Sequence, residues 1–404
     1  MRILLADKLA SFVPGRMQDL GGDVDAAPEL TGPALTAHIR ETRPEVLVVR
    51  STKVTAADIE AGPELALVIR AGAGVNTIDL AAASARGVYV ANCPGKNAAA
   101  VAELTIGHLI NLDRRIADNV QSLREGRWEK KRFGAAKGLR GRTLAVLGCG
   151  TIGQEVIGRA QALGMQVVGW SRSLTPEGAR DLGVVRADTP EKAASLADAV
   201  TVHLSLTPET RGRIGASIFD AMRRGAFFVN TSRGEVIDQG ALLQAIRDKD
   251  LRAGLDVFAD EPSGGAADFS TEIAAEANVY GTHHIGASTV EASEAVAEEV
   301  VRITSAYAEG LPVPNCVNLA SESHGTHVVV VRHADRVGVL AHVLNVIRRA
   351  GMNVQEMQNI VFSGGHAACA RIAVIGDPDQ ATVREIAAGE DVYAVTVSTQ
   401  TDAS

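Results

Sequence analysis

The chain of 404 residues contains no uninterrupted apolar run of about 18 residues, so the sequence offers no spanning helix. Its first stretch, MRILLADKLASF, carries one basic residue, Arg2, ahead of apolar positions broken by Asp7 and Lys8. That reads as a first β-strand and not as a leader. Cysteine is scarce. Cys93, Cys149, Cys316 and Cys369 lie far apart with no CxxC spacing, which argues against a zinc ribbon or disulfide frame and reads as reduced thiols of a cytoplasmic protein. There is no basic arm. Net charge is −8, and the one dense cluster, WEKKRF at 128–133, reads as a solvent-facing loop. Neither nucleic acid nor a membrane is expected as a partner. Internal repeats and low-complexity tracts are also lacking.

What is present is ordinary for a globular protein: 46% hydrophobic and 22% charged residues. The length suggests about two or three domains. Between residues 1 and 96, MRILLAD, VLVVRS, LALVIRAG and VYVAN read as four strands without polar alternation, the pattern of strands buried on both faces of a parallel sheet. Residues 97–122 read as one long helix. A second βα series opens at RTLAVLGCGTIG (142–153) and supplies six strands through NVYGTHH, the doubly wound pattern. Residues 287–308 read as another long helix. After the Pro-punctuated stretch 311–325 the order changes to βαββαβ. The expected architecture is therefore α/β: two doubly wound parallel-sheet domains, Rossmann-like or flavodoxin-like, plus a C-terminal α+β module. The expected boundaries are 1–96 with 287–315, then 97–286, then 324–400.

Gly148, Gly150 and Gly153 form a GxGxxG between an apolar strand and an amphipathic helix, the context a dinucleotide loop requires. One glycine allows the turn, the next lets a pyrophosphate approach, and the third lets helix and strand pack closely. NAD sites usually place an acid at the tip of the following strand. Here VVGWSRS puts Ser171 and Arg172 there, which points to NADP(H) or to indifference between the two dinucleotides. Three later strand ends carry reactive side chains: Arg233 in FFVNTSRG, Glu261 in LDVFADEP, and His283 with His284 in VYGTHHIGAST. The carboxyl ends of an open α/β sheet line one crevice. A histidine can take or return a proton near neutrality, a carboxylate favours its charged form, and a guanidinium can clamp a carboxylate. Oxidation of a 2-hydroxy acid needs those three groups. No Asp, Glu or Cys stands at ligand spacing with the histidine pair, so no metal is expected.

Residues 142–290 resemble the D-isomer-specific 2-hydroxyacid dehydrogenases through the GxGxxG helix, NTSRG, LDVFxxEP and HIGAST. The resemblance implies that Arg233 binds substrate, that Glu261 supports the base, and that the base is His284, directly before Ile285-Gly286. His283 stands where that family usually has proline. It also implies that Thr151, Ile152, Thr231, Ser232, Asp256 and Ala287 line the cofactor with the glycine loop, Ser171 and Arg172. The segments VVRSTKVT and VIRAGAGVNTID are similar to those of D-3-phosphoglycerate dehydrogenases within the family. That implies substrate and phosphate contacts from Arg50, Ser51, Arg70, Ala73 and Gly74, with Asn97 near the substrate and Lys130 as a third charge. The tail resembles an ACT domain through RHADRVGVLAHVL, implying an amino-acid effector held by His333, Asp335 and Asn353; a dimerising module without ligand is the alternative.

These readings lead to a cytoplasmic homodimer or homotetramer that moves hydride between D-3-phosphoglycerate and NAD(H) or NADP(H), the first step of serine biosynthesis. An NADPH-dependent glyoxylate or hydroxypyruvate reductase is the alternative that Ser171-Arg172 favours. A non-catalytic dinucleotide-sensing protein is the alternative of another class.

Overall fold

A computed structural model describes residues 1–262, 267–320 and 324–399. The chain divides into two compact units, Met1–Asn318 and the segment from Leu319 onward.

The first unit holds two parallel sheets. One contains β1 (Arg2–Leu5), β2 (Asp23–Ala26), β3 (Val46–Val49), β4 (Leu67–Arg70) and β5 (Tyr89–Asn92), in the order β2-β1-β3-β4-β5. Its inner strands are Val, Leu and Ile runs because both faces are covered. Ile3, Val46, Val48 and Ile69 pack toward Val300 and Ile303, while Leu47, Val49 and Val68 pack toward Leu35, Ile39 and Ile59. The sequence reading found four strands here. The fifth, β2, is the edge strand Asp23-Val-Asp-Ala, and an edge needs no apolar run.

The other sheet contains β6 (Thr143–Leu147), β7 (Gln166–Trp170), β8 (Val185–Arg186), β9 (Ala199–Val202), β10 (Phe227–Asn230), β11 (Arg252–Leu255) and β12 (Val279–Gly281). Their order is β12-β11-β10-β9-β6-β7-β8. Strand β8 is a two-residue edge with exposed side chains, so it escaped the six-strand expectation. The order reverses at β6, and a crevice opens beyond the carboxyl ends of β6 and β9.

A crossover helix, Ala98–Arg114, joins the two sheets. One helix was expected over 97–122, but Arg115 takes a left-handed conformation (φ 51°) and a second helix, Ile116–Arg124, follows. The Arg115 N–H still reaches Asn111 O, and the Asn111 side chain accepts the Ala117 N–H, so the break keeps its hydrogen bonds. No Gly or Pro marks it. The return helix is Val290–Ala308, capped by Thr289 Oγ1 accepting from Ala292 N–H. Its Val300, Val301 and Ile303 complete the core of the first sheet.

The second unit is βαββαβ: β13 (His327–Ala334), β14 (Asn353–Val361), β15 (Ala367–Ile375) and β16 (Val392–Thr399), antiparallel in the order β14-β15-β13-β16, with helices Val339–Arg349 and Gln380–Ala387. Val329, Val331, Val343, Ile347, Ile372 and Ile386 form its own core. Residues 321–323 of the expected linker, and 400, the expected end of the module, lie outside the described residues. Among the described residues, no helix is long and apolar enough to cross a membrane.

Candidate active site

The glycine loop leaves β6 through Gly148 at φ 105°, where a Cβ would stand 2.5 Å from His203 O. A Cβ on Gly153 would lie 2.0 Å from Gly148 O, so helix Thr151–Ala162 packs directly on the loop. Gly150 differs: a Cβ there would meet nothing within 4 Å. Two glycines are therefore required by the protein's own packing, and the open one stands at the helix N-terminus, where the first amides are free for a phosphate. The residues fit a dinucleotide pyrophosphate. At the tip of β7, Ser171 Oγ lies 3.3 Å from Ser173 Oγ, and no carboxylate occupies the tip itself. An acid does act on Arg172 from the loop after β9. Glu209 is held below the usual carboxylate range by the Thr207 hydroxyl, its own N–H and the charge of Arg172. Its distance along the chain hid it from the sequence reading.

Beyond β10, Asn230 fixes the next turn. Its Oδ1 accepts from Ser232 N–H (3.0 Å) and Ser232 Oγ (2.7 Å), and its Nδ2 donates to Arg233 O (3.0 Å). Thr231 is buried 2.9 Å from Thr105 of the crossover helix. Arg233 donates to Ser232 O at 2.6 Å, and its Nη2 would stand 2.9 Å from a Cβ on Gly74. So Gly74, from the first sheet, gives way to a guanidinium from the second.

Arg70 ends β4 and folds over Gly72, where a Cβ would meet its Nη1 at 1.9 Å. Burial, then the charges of Arg233 and Arg50, lower its pKa to about 10. Its Nε is buried without a protein partner. Arg50 follows β3, and the N–H groups of Arg50, Ser51 and Thr52 all donate to Asp7 Oδ2 at 2.7, 3.1 and 3.0 Å. Asp7 thus shapes the Arg50 turn, a role invisible from its place in β1's outgoing loop. Ala73 O accepts from Asn92 Nδ2 at 2.6 Å. Asn97 heads the crossover helix with its Oδ1 buried and unpartnered. The structure thus gathers Arg50, Arg70, Gly74 and Arg233.

The crossover helix is 17 residues long, about 25 Å. Its far end sits at the amino edge of the sheet, where Arg252, the first residue of β11, donates to Leu112 O at 2.9 Å. Lys130 lies beyond that end and beyond a further helix, Ile116–Arg124, exposed on the turn Lys130–Phe133, and among the described residues no hydrogen bond or ion pair joins it to Arg50, Arg70 or Arg233.

The histidine loop hangs on Asp256, which is buried. Its Oδ1 accepts from Thr282 Oγ1 (2.6 Å) and Ile285 N–H (2.9 Å), its Oδ2 from Gly286 N–H (2.8 Å), and its main-chain oxygen from His284 N–H (2.8 Å). Asp256 was expected among the cofactor contacts; its carboxylate also holds the loop that ends at Ala287. His284 is left-handed (φ 53°), with Nδ1 2.6 Å from Glu261 Oε2. The other Glu261 oxygen accepts Phe258 N–H at 2.7 Å. Burial raises the Glu261 pKa, but the bonds from His284 and Phe258 and the charges of His284 and Arg233 bring it below its usual value. His283 is exposed beside it. Among the described residues, no three His, Cys, Asp or Glu side chains are grouped to hold a metal.

In the second unit, His333 is buried with Nδ1 2.7 Å from Ala334 O and Nε2 3.2 Å from Asn359 Oδ1. Asp335 is exposed nearby. Asn353 is not brought to them within one chain. It pairs with Ile375 at one end of β15, whereas His333 pairs with Ala368 at the other. Six residues along β14 separate Asn353 from Asn359, about 20 Å.

Residues 106–286 match the family model described as D-isomer specific 2-hydroxyacid dehydrogenase, NAD binding domain. The chain is 38% identical over 321 residues to D-3-phosphoglycerate dehydrogenase of Methanocaldococcus jannaschii, covering 79% of this chain and 60% of that protein. It is 40% identical over 301 residues to D-3-phosphoglycerate dehydrogenase of Rattus norvegicus, covering 74% and 55%. It thus spans less than two thirds of the length of these relatives. Among solved structures, NAD+-bound 3-phosphoglycerate dehydrogenase of Entamoeba histolytica is similar at 25% identity and TM-score 0.64, over 79% of this chain and 99% of that one.

Proposed function

The chain belongs to the D-isomer-specific 2-hydroxyacid dehydrogenases, and from that premise we propose that it oxidises D-3-phosphoglycerate to 3-phosphohydroxypyruvate, and reduces it in return, with a nicotinamide dinucleotide. The observation that carries the substrate is the gathering of Arg50, Arg70 and Arg233 on one crevice. A substrate with a carboxylate at one end and a phosphate at the other needs more than one guanidinium. Arg233 takes the carboxylate and polarises the C2 oxygen; Arg50 and Arg70 take the phosphate. The dinucleotide, when bound, supplies the hydride acceptor. His284 removes the hydroxyl proton as the C2 hydride departs, and returns it in the reverse direction. Glu261 holds Nδ1, so that Nε2 is the nitrogen left for substrate, and its charge stabilises the imidazolium. Residues 1–96 with 287–315 then bind substrate, 97–286 the dinucleotide, and 324–400 regulate.

The matched family model supports NAD(H). A second reading, an NADPH-dependent reductase of glyoxylate or hydroxypyruvate, is favoured by Ser171 and Arg172 and opposed by the arginine cluster. Turnover of a panel of 2-keto acids with NADH and with NADPH decides between them. No turnover on any keto acid would leave the non-catalytic, dinucleotide-sensing alternative. Exposed Ile116, Val120 and Leu123 stand at helical spacing on the helix Ile116–Arg124, with exposed Trp128 in the loop after it, which supports a homodimer or homotetramer. Buried His333 beside Asn359 supports an amino-acid effector in the tail module, and place in serine biosynthesis and the cytoplasm follows from the substrate.

A further inference from the structure

His108 has no part in the chemistry above. It lies on the crossover helix, 5% exposed, with Nε2 3.2 Å from Thr282 Oγ1. The Thr282 hydroxyl has one proton. Asp256 Oδ1, at 2.6 Å, receives it, because the shorter bond runs to an ionised acceptor. Toward His108 the hydroxyl can therefore only accept, and Nε2 must carry the hydrogen. On the other side of the ring stands Gly254 of β11, where a Cβ would lie 2.9 Å from His108 Nδ1 and 2.8 Å from its Cβ. Only glycine admits the imidazole here, and no acceptor is recorded for Nδ1 among the described residues. Burial holds the His108 pKa below its usual value, against the charge of Asp256.

The same Asp256 carboxylate holds the amides of Ile285 and Gly286, and its carbonyl holds that of His284. His284, at φ 53°, occupies a backbone region that non-glycine side chains disfavour, so the loop depends on these bonds.

We propose that His108 is a positioning residue: a neutral Nε2–H donor that orients the Thr282 hydroxyl toward Asp256 and, through Asp256, fixes the loop that presents His284. The inference rests on His284 being the base, and its tests are separable from that reading. His108→Leu removes the donor, while His108→Gln keeps an amide donor at similar reach. The leucine variant loses kcat by about ten- to a hundredfold, as slight misplacement of a reacting group does, with KM and NADH affinity within about twofold of wild type. The glutamine variant recovers most of the loss. Thr282→Val, which breaks the same relay, loses a similar factor, and the double variant His108→Leu/Thr282→Val is no worse than Thr282→Val. Independently of turnover, the 15N imidazole signals of His108, identified by their absence from His108→Gln, remain those of the neutral Nε2–H tautomer from about pH 7 to 9. Wild-type kcat in His108→Leu, equal losses in the leucine and glutamine variants, multiplied losses in the double variant, or a His108 that titrates in that range would each overturn the proposal. If His108→Leu fails to fold, Thr282→Val and the 15N spectrum still decide it. Full turnover in His284→Ala would sink the base assignment and leave the 15N result standing on its own.

Discussion

His284 Nδ1 stands 2.6 Å from Glu261 Oε2, and the two residues arrive from the ends of adjacent strands, β12 and β11. Neither is next to the other in sequence; the parallel register brings them together. With Nδ1 committed to the carboxylate, one nitrogen is left for substrate. His284→Ala is expected to lower kcat by about 10²–10⁴-fold, the usual contribution of a positioned acid–base group. Glu261→Gln loses less, because an amide oxygen still receives the Nδ1 hydrogen but carries no charge. His283→Pro is nearly silent, since His283 is exposed and no bond from its N–H is recorded. Single-turnover rates on the three variants rank these losses; equal losses at 283 and 284 would refute the assignment.

The cofactor question reduces to charge at the tip of β7. Ser171→Asp places a carboxylate where a 2′-phosphate would approach and where a 2′-hydroxyl would be welcomed. The ratio of kcat/KM for NADPH over NADH therefore falls, by about tenfold or more, in line with the net strength of a hydrogen bond to a charged group. Glu209 already acts on Arg172 by its charge. Glu209→Gln consequently moves the ratio the other way. A wild-type enzyme with strong preference for NADH would show that Ser171 and Arg172 do not select the cofactor.

These sites differ in how much the sequence disclosed. The glycine loop, Arg233, Glu261 and His284 lie within short motifs whose strand–turn context is local, so their convergence could be read from topology alone. Strands β2 and β8 could not, because an edge strand needs no apolar signature. The break at Arg115 also left no trace: an arginine took the left-handed position that Gly or Asn usually announces. Asp7, Asp256 and His108 act through hydrogen bonds spanning many residues, which periodicity does not encode. The surroundings of Lys130 were not legible either, because the sequence does not say where a helix of 17 residues delivers the chain.

Stability should depend on acid through Glu299, a buried carboxylate of the return helix. Arg302 lowers its pKa most, burial opposes, and Lys96 and Asn315 lower it further, to about 2 from an ordinary 4.5. Because the folded value lies below the unfolded one, the contribution is complete above about pH 4.5 and disappears as pH falls toward 2. Arg302 is half exposed, so screening reduces the effect to about 1–2 kcal/mol at neutral pH. Glu299→Gln should be less stable than wild type by that amount in urea at pH 7, and the gap should narrow at pH 3. A gap of constant size would mean that the residue contributes packing and not charge.

The phosphate reading is the most exposed to test. Arg50, Arg70 and Arg233 are close enough for their charges to depress Arg70, to about 10, after burial. Like charges held together in this way are costly until an anion joins them. Arg50 is the member whose main chain is pinned by Asp7, so shortening its side chain should leave the turn in place. A hydrogen bond to a charged group contributes about 1.5–3 kcal/mol, or roughly ten- to a hundredfold in affinity. Arg50→Ala is therefore expected to raise KM for 3-phosphohydroxypyruvate by that factor and to leave hydroxypyruvate, which has no phosphate, nearly unchanged. Arg233→Ala, by contrast, should damage both substrates, because both carry the carboxylate. Equal penalties on both substrates in Arg50→Ala would make Arg50 structural. A wild-type preference for hydroxypyruvate or glyoxylate would transfer the chain to the reductase reading, with the arginines left to bind some other anion.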